Sequence, residues 1–161
     1  MSMRIAVIGY PIGHSISPMF QQAALDHYSL DARYQAWEIA PQDLAEFMQG
    51  LRGPDTLGIS VTVPHKEAVI SHLDRIDEWA RIAGAVNAVV CLDRELAGYN
   101  TDGLGFIRAL EQDARFAPEG CNTLIMGAGG SAKAVALALA GRGAAAITIA
   151  NRTLERAEDL A

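Results

Sequence analysis

The chain has 161 residues, half of them hydrophobic and a fifth charged, with a formal net charge of −6. This is the composition of an ordinary globular protein, and an acidic chain with no run of Lys and Arg argues against a nucleic-acid surface. No apolar run approaches the roughly 20 residues of a membrane span. Met1-Ser2-Met3-Arg4 leads straight into a strand, and Cys91 and Cys121 lie far apart without CxxC spacing. A cytoplasmic protein with reduced thiols is expected, a single disulfide being the alternative.

Arg4 to Gly9 (RIAVIG) is predicted as a strand by its β-branched and apolar content, and Tyr10-Pro11-Ile12-Gly13 as a turn. Ser17 suits a helix N-cap and Pro18 the first helical position, so a helix is expected over Pro18 to Tyr28. Ser15 stands just before that cap. Two hydroxyls two residues apart at a helix N-terminus can hold a carboxylate or a hydroxyl, although capping alone also explains Ser17. Ala32 to Ile39 alternates and reads as a second strand. Pro41 begins a helix through Gln49, ended by Gly50.

Leu57 to Val63 is the third expected strand. Pro64 stops its ladder, having no N–H to donate and holding Val63 extended. His65 and Lys66 follow at once, opening a segment read as helix from Glu67 to Trp79. Lys66 therefore stands at the carboxyl end of a strand, where open α/β sheets place ligands. A solvated lysine in a first helical turn is the alternative, though a cation there opposes the helix dipole. Beyond a turn at Gly84, Ala88 to Leu92 and Glu95 to Tyr99 form a hairpin around Asp93-Arg94. Asn100 to Gly103 is a turn before a helix that starts over Leu104 to Leu110, and Thr101 or Asp102 suits its N-cap.

Asp113 to Gly120 is polar, with Pro and Gly, and reads as a domain boundary. The pattern then restarts with strand Asn122 to Met126, a glycine-rich turn, helix Ser131 to Ala140, strand Ala145 to Ala150 and a helix from Leu154. The expectation is an α/β protein. Residues 1–113 form an open, mostly parallel sheet domain, and 121–161 the first β-α-β part of a Rossmann-type dinucleotide-binding domain. Gly127-Ala128-Gly129-Gly130-Ser131-Ala132 fits GxGxxA between strand and helix, where glycines let the backbone approach a pyrophosphate at the helix N-terminus. An NAD site would place an acid at the end of the second strand for the ribose 2′-hydroxyl. Asn151-Arg152-Thr153 stands there instead. Arg152 offers a planar cation to a 2′-phosphate and its neighbours offer hydrogen bonds, so NADP is the expected cofactor. Capping of the next helix is the alternative for Asn151 and Thr153.

Four motifs occur in order: PIGHSISP at 11–18, SVTVPHK at 60–66, AGAVNAVV at 83–90 with GYNTDG at 98–103, and GAGGSAKA at 127–134 with NRT at 151–153. In them the chain resembles the shikimate dehydrogenase family over essentially its whole length. The resemblance implies that Ser15 and Ser17 bind the carboxylate of shikimate and that Thr62 holds a ring hydroxyl or the carboxylate. Asn87 would bond the substrate's hydroxyls. Lys66 and Asp102 would form the catalytic pair around the reacting C3 oxygen. Gly127, Ala128, Gly129, Gly130 and Ser131 would hold the cofactor diphosphate, with Asn151, Arg152 and Thr153 on the 2′-phosphate.

The implied reaction is the reversible NADPH-dependent reduction of 3-dehydroshikimate to shikimate, in aromatic amino-acid biosynthesis. The chemistry agrees, since hydride addition to a ketone builds negative charge on oxygen that an ammonium stabilises and can protonate. The implied partners are small molecules, with no metal, nucleic acid or membrane, in a monomer or homodimer. Two departures stand out. The family usually has Asn where this chain has Ser60. Its chains also continue past the position of Ala161, so this one is expected to be truncated within the cofactor domain. A quinate/shikimate dehydrogenase and a non-catalytic, dehydrogenase-like binding or regulatory module are the alternatives.

Overall fold

A computed structural model describes residues 3–161. In chain order the elements are β1 (Met3–Gly9), α1 (Ser17–His27), β2 (Ala32–Glu38), a 3-10 turn (Pro41–Asp43), α2 (Leu44–Gly50), β3 (Thr56–Val61) and α3 (His65–Ala68). A second 3-10 turn (Val69–His72), β4 (Arg75–Ile76), α4 (Glu78–Ala83), β5 (Ala88–Leu92) and β6 (Glu95–Tyr99) follow. The remainder is α5 (Asp102–Arg108) running into a π-turn (Ala109–Asp113), β7 (Asn122–Met126), α6 (Gly130–Gly141), β8 (Ala146–Ala150) and α7 (Leu154–Glu158). Two compact units result. One runs through Asp77 and resumes over Val86–Tyr99; the other combines Glu78–Ala85 with Asn100–Ala161.

The first unit is built on a six-stranded sheet in the order β2-β1-β3-β5-β6-β4. β1 pairs in parallel with β2 and β3, and β4 with β6, while β5 runs antiparallel to β3 and β6. A central parallel strand is buried on both faces, and β1 obeys this: Ala6, Val7, Ile8 and Gly9 are all buried. The β5–β6 hairpin closes through Asp93 and Arg94, both at positive φ (50° and 67°). Two such residues make the turn whose twist matches the strands it joins.

The single helix expected over Glu67 to Trp79 is not formed. Helix α3 starts earlier, at His65, and is short; Leu73 is extended and Arg75–Ile76 pair with Ala97–Gly98. The cause is tertiary. The Asp74 N–H donates to Leu96 O (3.0 Å), the Asp74 carboxylate accepts the Leu96 N–H (2.7 Å), and Asp77 N–H donates to Gly98 O (2.9 Å). Arg52 binds the same carboxylate with both Nη atoms. Ladder bonds and a charged clamp outweigh a helical propensity worth tenths of a kcal/mol per residue.

In the second unit β7 and β8 pair in parallel, Asn122 opposite Ala146 through Met126 opposite Ala150, joined by α6. Ile107, Ala138 and Leu139 are buried there, packed by Leu110, Ile125, Val135, Ala144 and Ile147. Gly103 lets α5 lie close to α6, because a Cβ at that position would stand 2.6 Å from the Ala134 carbonyl oxygen.

Candidate functional site

At one end of the six-stranded sheet, the exits of β1 and β3 meet the segment entering β5. Thr62 N–H donates to Ile8 O (2.9 Å), Tyr10 N–H to Val63 O (3.0 Å) and Val61 N–H to Asn87 O (2.8 Å). The Thr62 carbonyl accepts the His65 N–H, starting α3, and the Lys66 carbonyl accepts the Val86 N–H at 2.7 Å. These backbone bonds bring Thr62, Lys66 and Asn87 to one place, although 25 positions separate Thr62 from Asn87 in the numbering. Gly9 makes the convergence possible. A Cβ on it would stand 2.6 Å from Thr62 Cγ2 and 2.9 Å from the Val63 carbonyl oxygen.

The loop after β1 carries Ser15 and Ser17 to this same end. Ile12 is buried against Val7 and Tyr34, and its N–H donates to the Glu38 carboxylate (3.1 Å). Ser15 N–H then donates to Ile12 O (2.9 Å). The expected N-cap is corrected here. Ser17 is already within α1, Ile16 takes the cap position, and Ser15 Oγ accepts the Ser17 N–H at 3.3 Å. A local Ser hydroxyl bond of this kind competes with capping by the following residue. Ser15, for which the sequence suggested only a ligand role, therefore also has a local structural bond.

Two residues that pattern reading passed over complete this end of the sheet. His65 is 1% exposed, and its Nε2–H donates to Ile39 O at 2.7 Å. Ile39 N–H in turn donates to Gly9 O (3.2 Å), tying the exit of β2 to that of β1. Tyr34 is 7% exposed, and its hydroxyl donates to Ser60 Oγ at 2.8 Å. Burial pushes the Tyr34 phenol above its usual value, while the bond to Ser60 acts in the opposite direction. The available signal was general: a tyrosine on the inward phase of a strand usually finds a partner for its hydroxyl.

The second unit presents the glycine-rich turn. Gly127 has φ +124°, which L side chains rarely adopt, and its N–H donates to Ala150 O (2.8 Å). Gly129 is extended and precedes α6, and open space lies beside the Cβ position of both Gly127 and Gly129. Backbone N–H groups at the start of this 12-residue helix suit an anion. After β8, Asn151 Nδ2–H donates to Thr153 O (2.8 Å), which shapes the turn, and Arg152 is exposed. Asp102 opens α5. Its N–H donates to Asn100 Oδ1 (3.0 Å), and its carboxylate accepts the Ser131 hydroxyl at 3.2 Å. Thr101 takes the N-cap position, as expected, but without a side-chain cap bond, and Asn100 gives a side-chain acceptor at that helix start. Its own Nδ2–H donates to Ala85 O (2.8 Å).

No cluster of His, Cys, Asp and Glu able to hold a metal occurs among the described residues, and none of their helices is long and apolar enough to cross a membrane. An open α/β unit with hydroxyls, an amide and a lysine at its strand ends, and a separate β-α-β unit with a glycine-rich turn, define a substrate-domain-plus-Rossmann class of α/β protein. The chain belongs to the shikimate dehydrogenase family: the profile of the shikimate dehydrogenase substrate binding domain matches residues 7–89, and that of shikimate / quinate 5-dehydrogenase residues 111–161. A shikimate dehydrogenase (NADP(+)) of Geobacter metallireducens is 48% identical over 156 residues, covering 97% of this chain and 54% of the relative. The chain thus spans about half the length of the curated relatives it matches.

Among solved structures, it is similar to shikimate 5-dehydrogenase from Thermus thermophilus in complex with NADP(H) and shikimate. The TM-score is 0.90 at 37% identity, over 98% of this chain and 59% of that one. It is also similar to the ligand-free form of 5-ketofructose reductase of a Gluconobacter species. There the TM-score is 0.86 at 38% identity, over all of this chain and 57% of that one.

Proposed function

We propose that the protein to which this chain belongs catalyses the reversible NADPH-dependent reduction of 3-dehydroshikimate to shikimate. The observation that carries the reading is the convergence of Thr62, Lys66 and Asn87 at one end of the sheet through backbone bonds. Ser15 and Ser17 bind the substrate carboxylate, Thr62 and Asn87 its oxygens. The Lys66 ammonium stabilises the charge that grows on the C3 oxygen and exchanges a proton with it. Asp102, at the start of α5, is the carboxylate of the catalytic pair that the family resemblance implies. The substrate domain lies within residues 1–113, and 121–161 begins the cofactor domain; the two family matches support this division.

The glycine-rich turn fits a dinucleotide, because Gly127 needs its positive φ and the space beside Gly129 is open. Gly127 to Ser131 hold the diphosphate, with Ala128 buried beneath the turn, and Asn151, Arg152 and Thr153 take the 2′-phosphate. Bound there, NADPH supplies the hydride. We place the protein in the cytoplasm, acting on small molecules as a monomer or homodimer.

A second reading, a quinate/shikimate dehydrogenase, draws on Ser60 and on the wording of the second family match. Reduced-nicotinamide absorbance, followed with the gene's complete product, separates the readings. Shikimate with NADP⁺ gives the expected signal. A stronger one with quinate and NAD⁺ favours the second reading. No turnover with either polyol, in a protein that still binds shikimate, identifies a binding module.

A further inference from the structure

Ser60 lies level with Val7 on β1 and Ala88 on β5. Alternation along a strand puts it on the same face as Thr62, two residues on. On that face Tyr34 reaches across from β2, two strands away, to place its hydroxyl on Ser60 Oγ at 2.8 Å. We infer that Tyr34 is a positioning residue that acts through Ser60: it fixes the Ser60 hydroxyl so that its proton is presented to an oxygen acceptor of the substrate, a hydroxyl or carboxylate of a polyhydroxy acid. This rests on the substrate reading above and gives a role to the one motif residue that departs from the family's usual Asn.

A serine hydroxyl has one proton and two lone pairs. The Tyr34 proton fills one lone pair, which removes rotamers of the Ser60 O–H that point back toward the ring and leaves its proton to be given outward. Tyr34 is well suited to the task because it is itself held. Its ring packs with Val7 and Ile12, and its N–H donates to Gln22 Oε1 at 2.8 Å. Gln22 Nε2–H also donates to Ala32 O (3.3 Å), so α1 clamps the strand on which Tyr34 stands. Burial favours the neutral phenol, so Tyr34 keeps the proton it donates. Ser60 is only half-buried. A donor aimed before binding spares the entropy of orienting it afterwards.

The test is a double-mutant cycle in the same protein as the absorbance assay, read by calorimetric titration with shikimate and by thermal melting. Ser60→Ala weakens shikimate binding about fivefold, the size of one neutral hydrogen bond. Tyr34→Phe weakens it by a similar factor in the wild-type background. In the Ser60→Ala background the same change has no further effect on binding, while it still lowers the melting temperature by its packing and hydrogen-bond cost. Additive losses of affinity overturn the inference, because Tyr34 would then act independently of Ser60. Undiminished affinity in Ser60→Ala or in Tyr34→Phe also overturns it. Absence of shikimate binding by the unmodified protein refutes the substrate reading itself, and this inference falls with it.

Discussion

The polar end of the six-stranded sheet and the glycine-rich turn are made in opposite ways. The first is assembled from distant parts of the chain: Thr62 to Ile8, Val61 to Asn87, Lys66 to Val86 and Tyr34 to Ser60 are all tertiary hydrogen bonds. The second is local. Three residues between β7 and α6 set it, Gly127 through its backbone angle and Gly129 through the lack of a side chain beside open space. Chemistry that needs several functional groups at fixed separations takes them from several strands, whereas an anion site needs only N–H groups from one helix start.

The difference makes predictions, largest first. Lys66→Ala in the complete gene product lowers kcat by about 10²-fold or more, the usual contribution of a positioned acid-base group. Survival of turnover within about tenfold, which is worth roughly 1.4 kcal/mol, removes Lys66 from that role. Gly9→Ala breaks the assembled region, since its methyl meets Thr62 and a backbone carbonyl. It destabilises the first unit by about 1–3 kcal/mol, as overpacking does, and calorimetry finds shikimate binding lost with NADP⁺ binding kept. Gly127→Ala is the mirror experiment. It strains a residue at φ +124° by about 1–3 kcal/mol, and titration finds NADP⁺ binding weakened with shikimate binding kept. If both variants lose both ligands equally, the two regions are not independent.

Arg152→Ala reduces NADPH affinity about tenfold and leaves NADH within about twofold, because only the 2′-phosphate loses a charged hydrogen bond. Equal losses for the two nucleotides remove Arg152 from cofactor discrimination. The smallest effect lies at Asp74. Arg52 beside it, helped by the Leu96 N–H, holds this carboxyl below its usual value. A depressed pKa stabilises the fold above the ordinary carboxylate range, and that contribution is lost as pH falls through the folded value. The Asp74→Asn variant therefore melts with a shallower dependence on acid pH than wild type, by a small margin because the pair is open to solvent.

Much of this was legible in the chain itself. The strands, the Asp93-Arg94 hairpin turn and the glycine-rich turn follow from side-chain type and backbone preference over a few residues, and the structure has each of them. The order of the motifs carried the family. The break in the helix expected after Lys66 was not legible, because the bonds that make it come from Leu96 and Gly98 on another strand. Ser17 as a cap failed more narrowly, since the helix starts one residue earlier than expected, with Ile16 at the cap position and the Ser17 N–H bonded to Ser15 Oγ.

Local physical chemistry in the sequence therefore determined which segments extend, which coil, and where a phosphate-binding turn can form, because propensity and φ preference act over a few neighbours. Only the tertiary structure decided that Lys66, Thr62 and Asn87 share one end of a sheet, that Gly9 must lack a side chain, and that Tyr34 bonds to Ser60. These outcomes depend on strand order and register, and a hydroxyl's partner two strands away leaves no periodic mark in the chain.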